Sequence, residues 1–416
     1  MTDERQAGMR ATSARADREL LRWLESLKWE ASVQECAFGL LQKRLKGSTL
    51  RSYFTYMIYE YVVEQARIEG LSLHNLAKHR FLFDTQLPLL AEGIITVQYL
   101  ENHILDGKNG ILKAGLLDPQ QVKKTLLGSH KLKDALYEYV ATECFPTDLK
   151  RQVLVSATIR KIFRFTDIGQ NAEQEWASHE NFRNPAFQAP VLSPETEAFI
   201  DHPLISSFWQ KLRKAGVRKD LKEYTKFYLR RIYLTNVGLF VLLAELICAL
   251  LGYDGKEKKK LLRFAAELAL LQQLVNDVCD FLPASYGKGT SAKLPEDAFS
   301  DLRGGNITLP LIFLDSTDYN FDTIDLAKDI QKDEKQQIVF ELIKPICYFG
   351  VIPFLQDYAK KTATLLKKNN AHHKLLGEMT DIVYNGKYFG YFKYKLHNYA
   401  PVKTKKKTSG KEVPYD

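Results

Sequence analysis

Residues 271–310 read LQQLVNDVCDFLPASYGKGTSAKLPEDAFSDLRGGNITLP, and this stretch decides how the chain is interpreted. It begins inside an apolar helical run. Asp280 follows Asn276 by four residues and Asp277 by three, so all three side chains project from one helix face. Acids at a helix end beside a basic, glycine-rich loop suit Mg²⁺ held between carboxylates and a substrate phosphate. The alternative is a buried helix whose acids form its solvated C-terminal end.

The composition indicates a soluble protein with a substantial core. Of 416 residues, 45% are hydrophobic and 12% aromatic. Five scattered cysteines without CxxC spacing argue against a disulfide framework or a zinc cluster and fit a reducing compartment. The N-terminus lacks the apolar region of a signal peptide. The most apolar run, residues 237–251, falls short of the roughly 20 residues that a membrane span needs. We therefore expect a cytoplasmic protein without a transmembrane segment.

The net charge of +9 indicates which classes of binding partner to expect. Part of it lies in the lysine-rich residues 401–416, a pattern typical of a solvated, disordered tail. A basic balance suits an anionic substrate and also allows contact with an acidic membrane surface. Nucleic acid is not expected, because no recognised binding module accompanies the charge.

The hydrophobic pattern is helical throughout and predicts a single all-α domain over residues 19–400, after a disordered tail at residues 1–18. The strongest predicted helices cover residues 221–252 and 258–281. Further helices are predicted at residues 51–64 and 87–106. Residues 174–220, with four prolines, predict a loop-rich insertion with one helix near residues 208–214.

The opening stretch resembles the second aspartate-rich region of the trans-isoprenyl diphosphate synthases, whose fold the class I terpene cyclases share. That family carries FQxxDDxxD, a lysine-bearing loop and DLxxGKxTLP. The positions that match the first of these motifs are Gln273, Asn276 (for aspartate), Asp277 and Asp280. The positions that match the last are Asp301, Leu302, Gly305, Thr308, Leu309 and Pro310, while Asn306 replaces lysine. The resemblance implies a helical bundle around a central apolar cavity.

Earlier segments resemble the family in the same order, so that the similarity covers roughly residues 40–315. ENHILD at residues 101–106 falls where the family has HDDxxD, and its Asn102 lies ten residues after Glu92. Gly169-Gln170 and Glu173 resemble GQxxD. Leu239-Phe240 resembles the end of KTGxLF, with Thr235 in the lysine position, and LKGSTLRSYF at residues 45–54 resembles GGKRxRP.

Several positions depart from the family pattern. At the first aspartate motif stand Asn102, His103 and Asp106, so one carboxylate survives. Asn is a neutral ligand, and His favours softer metals. Glu101 is one position out of register, about 100° around the helix. In the early motif Arg51 alone remains of the basic residues that would bind the diphosphate of isopentenyl diphosphate.

The resemblance implies specific roles, with Mg²⁺ as the cofactor. The positions that correspond to the metal site are Asn102, His103, Asp106, Asn276, Asp277 and Asp280. The catalytic positions are Lys288, Asp301 and Arg303, of which Lys288 and Arg303 would be cations for the leaving group. The substrate-binding positions are Arg51, Gln170, Thr235 and Gln273. Ordinary surface charge is the alternative for Arg51, Lys288 and Arg303, and a structural role is the alternative for His103. Tyr99, one turn before NHILD, lines the cavity or packs in the core.

Three functions follow from the resemblance. The first is metal-dependent ionisation of a single allylic prenyl diphosphate, as in a terpene cyclase. The second is a non-catalytic synthase-like subunit that regulates an active partner, and the third is true chain elongation with isopentenyl diphosphate. Ionisation of a single allylic diphosphate is the main expectation and the other two functions are the alternatives. Loss of most of the second diphosphate site favours ionisation over chain elongation. A homodimer, or a heterodimer with a related synthase, is implied by the resemblance alone.

Overall fold

The computed structural model describes most of the chain between residues 50 and 385. The described residues are 15, 18, 19, 21–23, 25–27, 29, 50–75, 79–105, 112–113, 116–282, 299–303, 306–316, 333–366 and 368–385. Both predicted tails therefore lie almost wholly outside them, as does much of the helical pattern that begins at residue 19.

Helices dominate the described residues, so the all-α prediction is confirmed. The first two helices are α1 (Leu50–Glu69) and α2 (Leu87–Leu105), and a π-helical turn at Leu82–Gln86 leads into α2. The other helices are α3 (Pro119–Tyr139), α4 (Leu149–Trp176), α5 (His179–Arg183), α6 (Pro194–Phe199), α7 (His202–Lys214), α8 (Lys222–Ile232), α9 (Gly238–Leu251), α10 (Lys258–Asp280), α11 (Ser300–Arg303), α12 (Leu309–Asp315), α13 (Asp333–Ile346), α14 (Ile352–Ala363) and α15 (His373–Tyr384). Two-residue strands, β1 (Leu112–Lys113) and β2 (Leu116–Leu117), form an antiparallel pair.

Side-chain caps fix where several helices begin. The Asp118 carboxylate accepts the backbone N–H of Gln120 at 2.9 Å, and Pro119 occupies the first helical position of α3. Asp148 accepts the N–H of Arg151 at 3.1 Å at the start of α4. These caps satisfy N–H groups that have no partner inside their helix.

The longest described helix runs through the centre of the core. Helices α8 and α9 are joined by a π-helical turn at Tyr233–Val237 into one helix, Lys222–Leu251, as predicted for residues 221–252. It ends at Gly252, whose φ of 67° is left-handed and favours glycine. The helix is 30 residues long with a window of mean hydropathy 2.2, which is long and apolar enough to cross a membrane. However, 78% of that window is buried, as in the core helix of a soluble protein.

Helix α10 carries the opening motif and packs beside this central helix. It follows the predicted bounds closely and also contacts α14 and α15. Helices α1, α2 and α3 pack side by side, and α4 lies against α9 and the π-helical turn at Tyr233–Val237. The first motif lies at the C-terminal end of α2 and the second at the C-terminal end of α10. The central apolar cavity stays a prediction.

The segment at residues 174–220 contains more helix than the sequence predicted. Three helices, α5, α6 and α7, occupy it, whereas one helix near residues 208–214 was expected. The prolines do not break α6 and α7 because Pro194 and Pro203 stand in their first turns, where proline is tolerated. Phe208 and Trp209 are buried, so this part of the chain contributes to the core.

Gly169 allows α4 to approach the central helix closely. A Cβ atom there would lie 2.6 Å from Thr235 Cγ2 and 3.0 Å from Leu234 Cβ. We predict that Gly169→Ala lowers the free energy of unfolding by about 1–3 kcal/mol through overpacking, measured by urea unfolding. Gly377→Ala in α15 is the control. Its Cβ would meet only ordinary contacts, so a gain of up to about 1 kcal/mol from helix propensity is expected. A Gly169→Ala protein as stable as the wild type would contradict the close approach.

Candidate functional site

Asp277 is buried and both of its carboxylate oxygens are hydrogen-bonded to protein groups. The residue is 1% exposed. The hydroxyl of Tyr228, on α8, donates to Oδ2. The amide Nε2 of Gln273, one turn earlier on α10, donates to Oδ1 at 2.8 Å. This carboxylate therefore joins two helices.

Burial dominates the electrostatics of Asp277. Loss of solvation raises the pKa of its carboxyl to about 6, while the Tyr228 hydrogen bond and the charge of Arg231 act in the opposite direction. Arg231 is itself 6% exposed and pairs with Glu173 on α4. The environment of Asp277 thus contains the buried Arg231 and its half-buried partner Glu173.

Asp280 is also engaged with protein groups. Its Oδ1 accepts the backbone N–H of Ser300 at 3.2 Å and the Ser300 hydroxyl at 2.8 Å. Its Oδ2 accepts the N–H of Asp301 at 3.0 Å. The Asp280 carboxylate, at the end of α10, therefore accepts hydrogen bonds from the first two N–H groups of α11. Asp301 is half-buried there.

Asn276 differs from the two acids next to it. The three residues share one side of α10 as predicted, but Asn276 is exposed while Asp277 and Asp280 are buried. Of these three positions, the one with the greatest access to solvent therefore carries a neutral amide.

Amide side chains on α2, in the first motif and one turn before it, make hydrogen bonds to α4. The Nε2 of Gln170 donates to Oδ1 of Asn102. One turn earlier on both helices, the Nε2 of Gln98 donates to the Thr166 hydroxyl at 2.5 Å. The α2–α4 interface thus contains two successive polar contacts, and the first includes two of the predicted site residues.

His103 contacts Tyr99 on its own helix, and Glu101 contacts α3. His103 is 2% exposed and its ring lies 4.1 Å from that of Tyr99, which is 41% exposed and thus not part of the core. Glu101 faces α3, where it accepts from Ser129 at 2.7 Å and pairs with Lys133 at 2.7 Å. Glu101 therefore does not replace the missing carboxylate of the motif.

Arg51 is a half-buried cation at the start of α1. Its Nε atom is buried and has no hydrogen-bond partner among the described residues, and its Cζ lies 6.0 Å from the ring centre of Phe240. Burial lowers the pKa of its guanidinium to about 10. Thr235, another predicted contact, donates its hydroxyl to the backbone oxygen of Arg231 at 3.1 Å, within its own helix.

Three predicted residues are not placed by the structure. Asp106 and Lys288 lie outside the described residues, and Arg303 is described only as part of the α11 backbone. Their roles stay predictions.

The described donors show no preformed cluster of metal-ligating side chains. Within the described ranges, no group of three or more His, Cys, Asp or Glu side chains is placed to hold a metal ion. Mg²⁺ takes an octahedral shell of oxygens that usually includes several waters. The oxygens of Asp277 and Asp280 already accept hydrogen bonds from the protein, and Asn102 accepts one from Gln170.

Tyr228 and Arg231 are site residues that the sequence analysis did not identify. Tyr228 bonds Asp277, and Arg231 joins Glu173 to the same cluster. In KFYLRR at residues 226–231 they stand three apart, which places them on one helix face. The pattern does not show which neighbouring helix that face meets. Ser300 was missed for a similar reason, because only the fold brings it back to Asp280.

Comparison with known proteins identifies the fold. No family model and no curated protein matches the chain. Among solved structures, a polyprenyl synthase from Caulobacter crescentus complexed with calcium and isoprenyl diphosphate matches with a TM-score of 0.58 at 17% identity, covering 92% of this chain and 97% of that one. A geranylgeranyl pyrophosphate synthetase from Geoglobus acetivorans gives a TM-score of 0.58 at 12% identity, covering 90% and 98%. Heptaprenyl diphosphate synthase from Staphylococcus aureus gives 0.56 at 15%, covering 90% and 97%.

The chain therefore has the all-α fold of the trans-isoprenyl diphosphate synthases, as the motifs predicted. The structural match extends beyond residues 40–315, to which the sequence resemblance was assigned. At these identities the likeness concerns the fold.

The raised pKa of Asp277 predicts a pH dependence of stability. Because the folded pKa of about 6 exceeds that of the unfolded chain, the protonated form favours folding. That contribution is full below about pH 4 and is lost as the pH rises through about 6. Between about pH 4 and 7 the wild type should lose about 2 kcal/mol of unfolding free energy relative to Asp277→Asn, measured by urea unfolding at each pH. A difference between the two proteins that stays constant over this range would contradict the raised pKa.

Proposed function

We propose that the protein is a non-catalytic, isoprenoid-synthase-like subunit that binds a prenyl diphosphate and regulates an active synthase partner. The observation that carries this proposal is the hydrogen bonding of Asp277 and Asn102. The oxygens that would have to face a metal accept bonds from Tyr228, Gln273 and Gln170 instead.

Ionisation of an allylic diphosphate demands strong neutralisation of the departing pyrophosphate. Metal ions and basic side chains supply it in a site that excludes water. In this chain, amides replace carboxylates at Asn102 and at the exposed Asn276. An amide oxygen is a weaker ligand for a hard cation than a carboxylate, because it carries no net charge. These positions therefore support binding of a ligand better than metal-dependent turnover.

Arg51 supports an anionic ligand. Among the described residues its guanidinium has no carboxylate partner, although its Nε atom is buried. An unpaired and partly desolvated cation is costly, and a diphosphate would offset that cost through charge-assisted hydrogen bonds. The Caulobacter crescentus structure of the same fold is complexed with isoprenyl diphosphate, which supports the same ligand class here.

An exposed apolar strip on α4 supports a protein partner. Leu149 is 71% exposed and Val153, one turn later, is 59% exposed. Leu154 extends the strip with 37% exposure. We propose that the partner is a related synthase, in a cytoplasmic heterodimer.

Metal-dependent ionisation of a single allylic diphosphate is the second candidate. Exposed Asn276 favours it, since its amide oxygen is accessible to a cation. It also depends on Asp106 and Lys288, which lie outside the described residues. Chain elongation is less well supported because it needs a second diphosphate site.

One assay separates these candidates. The purified protein is incubated with Mg²⁺ and geranyl, farnesyl or geranylgeranyl diphosphate, with and without isopentenyl diphosphate, while pyrophosphate release and product length are followed. The proposal predicts no release in any mixture. Release from one allylic substrate alone would establish the second candidate, and release or growth that requires isopentenyl diphosphate would establish elongation.

Binding is tested independently of turnover. We predict that Arg51→Gln raises the Kd for farnesyl diphosphate at least about tenfold, through loss of a charged hydrogen bond, as measured by isothermal titration calorimetry in EDTA. Arg67→Gln is the matched control, since Arg67 lies on the same helix and pairs with Glu64 at the surface. Its affinity should equal that of the wild type. Equal affinities for both variants would exclude Arg51 from the binding site.

A further inference from the structure

Arg231 on α8 places a buried guanidinium among the acids of the candidate site. We propose that Arg231 is a resident cation, which balances Glu173 of α4 and Asp277 of α10 in place of a cation taken from solution. Arg231 is thus a positioning residue for these acids. This inference holds whether or not a prenyl diphosphate binds, because it concerns only how the charges of the site are neutralised.

The packing of α4 on the central helix brings Glu173 to Arg231. At Gly169 the two helices lie so close that a Cβ atom would be 2.6 Å from Thr235 Cγ2 and 3.3 Å from the backbone oxygen of Arg231. Glu173 stands one turn after Gly169 on α4, and Arg231 stands one turn before Thr235 on the central helix. The close approach therefore lies beside the ion pair that Arg231 and Glu173 form.

The guanidinium of this pair is well removed from solvent. The side chain of Arg231 is 6% exposed and that of Glu173 is 23% exposed. A cation buried to this extent is costly unless a carboxylate pairs with it. Since arginine does not lose its proton in proteins, the site carries a permanent positive charge at this position.

Tyr228 connects this cation to Asp277. The Cζ atom of Arg231 lies 5.5 Å from the centre of the Tyr228 ring, within the range of a cation–π contact. The hydroxyl of the same ring donates to the Asp277 carboxylate, whose other oxygen accepts from Gln273. A cation on the ring draws electron density from the phenol and strengthens its hydroxyl as a donor. Glu173, Arg231, Tyr228 and Asp277 thereby form one continuous chain of polar contacts across three helices.

The charge of Arg231 also reaches Asp277 directly. Burial raises the pKa of the Asp277 carboxyl, and the Tyr228 hydrogen bond and the charge of Arg231 both oppose that rise. One guanidinium therefore favours the charged form of an acid on α10 while it pairs with an acid on α4.

The neighbouring Arg230 shows that this role is specific to position 231. It follows Tyr228 by two residues, so its side chain leaves the helix about 100° away from that of Arg231. There it pairs with Glu197 on α6, which also contacts His202 at 3.0 Å. Arg230 thus offers a matched control, with the same charge on the same helix and a different partner.

A guanidinium and a divalent cation are alternative ways to neutralise two acids. Without Arg231, Glu173 would lose its partner and Asp277 would lose a positive charge that stabilises it. Divalent cations such as Mg²⁺ and Mn²⁺ take carboxylate oxygens as ligands. The proposal therefore predicts that affinity for such a cation appears when the guanidinium is removed.

Thermal unfolding of the full-length protein tests the balance of charge. Arg231→Gln should lower the Tm by at least about 4 °C, because buried acids lose their counter-ion. Adding Glu173→Gln should restore about half of that loss or more, since neutralising both members of a buried pair costs less than removing one. A double variant with a Tm no higher than that of Arg231→Gln would overturn the inference. Where Arg231→Gln alone does not fold, the double variant must still fold.

Binding of Mn²⁺, followed by electron paramagnetic resonance without any prenyl diphosphate, tests whether the guanidinium replaces a cation from solution. Arg231→Gln should bind Mn²⁺ at least about tenfold more tightly than the wild type, and the double variant with Glu173→Gln should lose that gain. Arg231→Lys keeps the charge, and Arg230→Gln removes the neighbouring one, so both should match the wild type.

Two results of the Mn²⁺ measurement would overturn the inference. One is a folded Arg231→Gln protein with the Mn²⁺ affinity of the wild type. The other is an equal gain in Arg230→Gln, which would reveal a general effect of net charge. Because the measurement uses no prenyl diphosphate, its outcome is separate from that of the proposed function.

Discussion

The hydrogen bond from the Tyr228 hydroxyl to the Asp277 carboxylate is the interaction on which the candidate site depends. It is buried between α8 and α10, so both partners would be destabilised without the other. Arg231 lies three residues after Tyr228 and pairs with Glu173, which brings α4 into the same cluster. Three helices are thus joined by polar contacts in an otherwise apolar core. The fold is that of the prenyl synthases, and Asp277 takes part in the polar contacts between these helices.

At both motifs a neutral amide takes the place of a carboxylate. Asn102 and Asn276 stand where the family has carboxylates, and Asn102 is bonded to Gln170. The negative charge that would attract divalent cations is therefore reduced on both sides. Arg51 remains as a cation without a carboxylate partner among the described residues. A site of this kind suits direct contact with a diphosphate better than a metal cluster that bridges it, which is why we favour binding over ionisation.

The sequence predicted the fold class and the main helices because their signals are local. The apolar run that ends in Asn276, Asp277 and Asp280 has a clear helical period, and the central helix and α10 begin and end close to the predicted residues. Residues 174–220 contain more helix than their prolines indicate, because Pro194 and Pro203 stand in the first turns of helices, where proline is tolerated.

The roles of the acids could not be predicted from the sequence. Spacing places Asp277 and Asp280 on one face, but it does not show that Tyr228 and Ser300 lie opposite them. Both contacts span more than 19 residues of chain and depend on how the helices pack. Similarity to a motif predicts where a residue lies on its helix, whereas its hydrogen-bond partners depend on the tertiary structure.

The most direct test of the central claim is a count of bound metal ions. Mn²⁺, which takes the same oxygen ligands as Mg²⁺, can be titrated into the protein with farnesyl diphosphate present and followed by electron paramagnetic resonance. Our account predicts no stoichiometric Mn²⁺ site that depends on Asp277 or Asp280. One or more tightly bound Mn²⁺ ions per chain, lost on substitution of either acid by asparagine, would contradict it.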